Sequence, residues 1–143
     1  MTKPFRPPPS AVLGVRCSEN DFHRLLQPVG PFDGGCLAVA CALRLAFGGY
    51  LWALWSDRNG DQPEHVVCGD GMCFADAGGV FAASRLLKLW EPQIGKAGRV
   101  WIESVDWETC VAHDCGLWES FKHGSGPKTV TDLAELLVDL RQS

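Results

Sequence analysis

The amino-acid sequence predicts an α+β fold, in which helices flank a small sheet of short antiparallel strands. Three observations carry that expectation. An alanine- and leucine-rich stretch from Cys36 to Phe47 carries a single charge, Arg44, and is closed by Gly48-Gly49. Short apolar runs at Tyr50–Trp55, His65–Asp76 and Arg99–Val105 are separated by clusters of turn residues. A last amphipathic stretch sets Leu133, Leu136, Leu137 and Leu140 at the spacing of one helix face.

The elements follow in chain order. Met1–Ser10 holds Pro4, Pro7, Pro8 and Pro9, with Lys3 and Arg6 but no apolar core after them. It is expected to be a flexible, extended tail rather than a signal peptide, with residues 11–143 forming one domain. Ser18 opens a first helix, with Asp21 three residues on as a weak capping box. Phe22, Leu25 and Leu26 face one way, and Pro28 to Gly30 stop the run. Asp33 can cap the central helix and Gly48-Gly49 can stop it. With one charge, that helix should be buried on most sides.

Tyr50–Trp55 reads as a strand, and Ser56–Pro63 as an exposed loop. His65 to Asp76 reads as two strands around Asp70-Gly71, a strong hairpin signal. Ala83–Trp90 is helical and is expected to stop at Pro92. Arg99–Val105 is a strand and Trp107–Lys128 a loop. Thr129 or Thr131 caps a final helix that runs to Arg141.

Composition narrows the function. The chain has 143 residues, 46 % hydrophobic and 21 % charged, with a net charge of −4. One globular domain with its own core fits that length. The acidic balance argues against binding duplex nucleic acid, whose partners present basic surfaces. No apolar run approaches the roughly eighteen residues a membrane helix needs. Seven cysteines cannot all pair with one another. Without an export signal the expected compartment is the cytoplasm, where thiols stay reduced.

Most of these cysteines read as small buried hydrophobes. Cys36 is different, because it opens the central helix directly behind Gly34-Gly35. Unpaired N–H groups at a helix N-terminus favour a thiolate. The glycines leave the sulfur uncovered, and the Cys36 N–H can face an oxyanion beside it. Cys41 lies about 140° around the helix, at about 100° per residue, and belongs to the core.

The hairpin supplies partners. A two-residue Asp70-Gly71 loop sets Cys68 opposite Cys73, Val67 opposite Phe74 and His65 opposite Asp76. Opposed side chains share a face, so Asp76 can orient His65 toward Cys36. A three-residue Gly69-Asp70-Gly71 loop would instead send Asp76 to the other face.

This order resembles the papain-like cysteine hydrolase superfamily. It is closest in pattern to the Cys-His-Asp members such as transglutaminase-like and NlpC/P60-like domains, and to small bacterial and phage proteins of that group. The matching segments are Gly34-Gly35-Cys36-Leu37-Ala38-Val39-Ala40, His65-Val66-Val67, and Asp76-Ala77-Gly78-Gly79-Val80. They span roughly residues 30 to 90.

The resemblance implies a papain-like fold, with the central helix packed on a small antiparallel sheet. It implies Cys36 as nucleophile, His65 as general base and acid, and Asp76 as the orienting group. Cleavage of an amide or isopeptide bond in a protein or peptide substrate would follow, with no cofactor. Gly35 and Gln27 are the candidates for positioning and for the oxyanion hole. Leu37 replaces the aromatic residue often found after the nucleophile, Phe74 stands where Tyr or Trp is commoner, and no Gln lies at the usual short spacing before Cys36.

Other functions compete. A scaffold of this kind can bind and inhibit a protein partner, a use that the six tryptophans and the acidic charge would serve. Cys68 and Cys73, with Cys110, Cys115 and His113, could form a zinc-stabilised module. Against that, Cys68 and Cys73 alternate with apolar residues on the face away from His65. No metal site is therefore expected.

Overall fold

The computed structural model describes residues 4–8, 13, 21, 24, 36–57, 63–94, 99–105 and 126–142, with backbone alone for 92–94, 126–129 and 140–142. Helix α1 spans Cys36–Phe47. Strand β1 spans Tyr50–Ser56, β2 His65–Gly69, β3 Cys73–Asp76 and β4 Gly79–Ala82. Helix α2 spans Ala83–Ile94, β5 Val100–Val105 and α3 Gly126–Gln142. The five strands form one antiparallel sheet in the order β4-β3-β2-β1-β5. The class is α+β, as expected. Among the described residues, no helix is long and apolar enough to cross a membrane.

Helix α1 is buried because its sequence gives it almost nothing to show water. Leu37, Ala38, Ala42 and Leu43 are fully covered, and Cys36, Val39, Ala40 and Phe47 nearly so. One side packs on Leu51, Val66, Cys68 and Ala75 of the sheet. The other receives Val130, Leu133, Ala134 and Leu137 of α3. Gly48 and Gly49 have φ of 80° and 84°, so the chain leaves the helix and enters β1 without a loop. A Cβ at Gly49 would stand 2.8 Å from the Gly69 carbonyl oxygen.

Helix α2 covers the opposite sheet face, where Leu86 and Trp90 pack with Leu54, Val67 and Phe74. It runs past Pro92, against expectation. A proline lacks the N–H for a bond to the preceding turn, so the loss falls on the last turn, beyond the anchors Leu86 and Trp90. Helix α3 begins at Gly126, earlier than Thr129 or Thr131. Pro127 then sits in the first turn, where its missing N–H costs nothing.

The hairpin differs from expectation in register. Cys68 pairs with Ala75 and Gly69 with Phe74, so the loop residues are Gly71 and Met72. Asp70 explains the shift. Its carboxylate accepts the N–H groups of Met72 and Cys73, both at 2.8 Å, and its own N–H donates to the Cys73 carbonyl. Asp70 is therefore the last residue before the loop. Gly71 takes the first loop position at φ 98°, the place of glycine in a type II′ turn.

Strand β4 was not anticipated. The chain turns back at Ala77-Gly78, where Asp76 Oδ1 accepts the Gly78 N–H at 2.8 Å. Within the expected tail, the Arg6 N–H donates to the Phe47 carbonyl at 2.8 Å, Phe5 packs against the main core, and Pro8 is buried. Asp21 and Arg24, from the expected first helix, are helical and form an exposed ion pair at 3.0 Å.

Leu43 has no exposed surface. Leu43→Ala should lower the free energy of unfolding by about 2–5 kcal/mol, the cost of a cavity in a core that cannot collapse. A urea titration reads this as a lower midpoint with an unchanged slope.

Candidate functional site

The site begins with strand register. Continuing the β2–β3 pairing places Asp76 across from Val67, so His65 is its diagonal neighbour rather than its direct partner. The two still share a face, because a shift of two residues preserves alternation. His65 Nε2 lies 3.0 Å from Asp76 Oδ2, and the two side chains are 1 % and 5 % exposed. Both carboxylate oxygens of Asp76 are engaged, one by the histidine and one by Gly78. The turn into β4 therefore fixes the carboxylate that fixes the imidazole.

Cys36 acts on the same ring. It is the first described residue of α1 and, against the expectation of an uncovered sulfur, it is 1 % exposed. Burial pulls the His65 pKa down. The hydrogen bonds to Asp76 and to Cys36, with the negative charge each can carry, outweigh it and lift the group from 6.5 to about 9. The net direction favours the protonated ring, whose Nε2–H donates to Asp76.

Trp90 completes the arrangement. Its ring stacks on His65 with centroids 4.5 Å apart and 23° between planes. The indole face is electron-rich, favours a cation beside it, and excludes water from one side of the imidazole. Sequence reasoning missed this residue, because helical spacing places Trp90 with Leu86 in a core stripe and says nothing of a strand end across from it. The Asp76-Ala77-Gly78 turn had a readable signal, an Asp two residues before a turn glycine.

Gln27 and Gly35 lie outside the described residues, as do Cys17, Cys110, Cys115 and His113. Cys68 does not face Cys73, which corrects the expected pairing. Instead Cys68 is fully buried and its thiol donates to the Gly48 carbonyl at 3.1 Å. Burial pushes its pKa up to about 12, with Arg44 lowering and Cys41 raising it to lesser degrees. Such a thiol is protonated and inert. Cys41 is half-buried against the main core. Among the described residues, no three His, Cys, Asp or Glu side chains gather as a metal site.

Chemically, the cluster offers a sulfur, an imidazole under its electrostatic influence and a carboxylate that holds the ring in place. The backbone N–H groups of the first turn of α1 lack partners within the helix and can face an oxyanion. No protein-family model, curated sequence or solved structure matches this chain.

A raised His65 pKa ties stability to pH with a definite sign. The contribution of the pair is complete below pH 6.5 and is lost as pH rises through about 9. Urea midpoints taken across that window should fall for the native protein and fall less for Asp76→Asn. The His65 resonances of the variant should also titrate at lower pH.

Proposed function

We propose that this protein is a cysteine hydrolase of papain-like type that cleaves an amide or isopeptide bond. One observation carries the proposal: a buried imidazole, held by Asp76 at Nε2, lies under the electrostatic influence of Cys36, a thiol at the start of a helix. A buried ion pair is a poor way to stabilise a fold. The same pair is well suited to holding a proton next to a nucleophile.

In this reading the Cys36 sulfur attacks the carbonyl carbon of the substrate. A C–S bond forms while the carbonyl oxygen takes up negative charge opposite the Cys36 N–H. Collapse of that adduct breaks the C–N bond, and the proton on His65 passes to the leaving amine. The neutral imidazole then takes a proton from water as it attacks the thioester. The acid product leaves, and the thiolate and imidazolium are restored. Asp76 keeps the ring oriented and stabilises its cationic form throughout. Trp90 and the surrounding core keep stray water away from the thioester.

Peptidase, isopeptidase and deamidase reactions all use these steps. A domain of this size has little room for a long cleft, which favours a side chain or a chain terminus of a protein as substrate. A thiol nucleophile fits a reducing, cytoplasmic setting.

Treatment of the folded protein with a small thiol electrophile near neutral pH, followed by peptide mapping, tests the proposal. Cys36 should carry the first adduct, and His65→Ala should slow its formation by about 10²-fold or more. Equal labelling of all seven cysteines, or none before unfolding, would overturn the assignment.

A further inference from the structure

The helix that begins at Cys36 ends beside a groove unconnected with the chemistry above. Leu45 is 59 % exposed, on a helix otherwise almost wholly buried. Two adjoining hollows meet at Leu45 and Val138. One, of about 390 Å³, runs along α3 past Ala134 to Glu135 and Asp139. The other, of about 460 Å³, runs past Ala46 and Phe47 to Arg6. The floor along α3 is mostly apolar and the Arg6 side is more polar, and the charges are sorted, acidic at one end and basic at the other. Arg6, Glu135 and Asp139 are all exposed, and among the described residues no ion pair uses any of them. The basic end exists because the N-terminal segment is pinned there by the Arg6 N–H on the Phe47 carbonyl.

We propose that this groove is the interface of a symmetric dimer of two copies of this chain. A two-fold axis through Leu45 lays the groove of one copy antiparallel on that of the other. Arg6 of each copy then meets Glu135 and Asp139 of its neighbour, and the two Leu45 side chains pack at the centre. The patch is self-complementary, as an isologous contact requires. A partner of a single charge would match one end and oppose the other. The apolar centre supplies most of the association, and the rim pairs set its register.

Sedimentation velocity of the full chain over a concentration series tests this. The native protein should pass from monomer to dimer. Leu45→Glu should remain monomeric, with the circular dichroism and thermal midpoint of the native protein. Arg6→Glu and Asp139→Arg should each weaken the dimer several-fold, and the two together in one chain should restore it. A native chain that stays monomeric throughout, or a dimer that Leu45→Glu leaves intact, overturns the proposal. A charge-swapped double variant no tighter than either single one overturns the two-fold arrangement.

Discussion

A hydrogen bond between two titratable side chains, removed from water, is the constraint around which this molecule is arranged. Histidine and aspartate together at the end of a sheet lose most of their hydration. Such a pair persists only if every neighbour holds its geometry. Here the neighbours come from four directions. Strand β2 presents the imidazole and β3 the carboxylate. The turn into β4 takes the second carboxylate oxygen, and α2 closes the ring face with an indole. Loosening any of these would leave a buried charge without its partner, which costs more than the pair contributes.

Much of this was legible in the sequence. The central helix declared itself through its alanine content, its single charge and its glycine stop. The strands at Tyr50, His65 and Val100 followed from short apolar runs between turn clusters. The association of Cys36, His65 and Asp76 was readable from a helix-opening thiol and an alternating hairpin. The register was not, because two glycines flank Asp70 and each permits a different loop. What decided it was the Asp70 side chain taking two backbone N–H groups, a competition among local hydrogen bonds that spacing alone does not rank. The site survived the error because the true pairing differs by two residues, and alternation repeats with that period.

The residues that sequence missed share one property: they act across elements. Trp90 has no local feature to separate it from any other buried tryptophan, and its role comes from the crossing of α2 over the end of β2. Arg6 reads as part of a proline-rich tail until its backbone is seen to cap a helix carbonyl. Long-range packing creates both roles, and periodicity carries no signal of it.

The stacking of Trp90 on His65 gives the molecule an internal optical reporter. A protonated imidazole against an indole draws electron density from the excited ring and quenches its emission, whereas a neutral one does so far less. The protonation state of His65 is therefore written into the emission of a neighbouring side chain. Proton movement at the site can be followed by light in the unlabelled protein, without a substrate in hand.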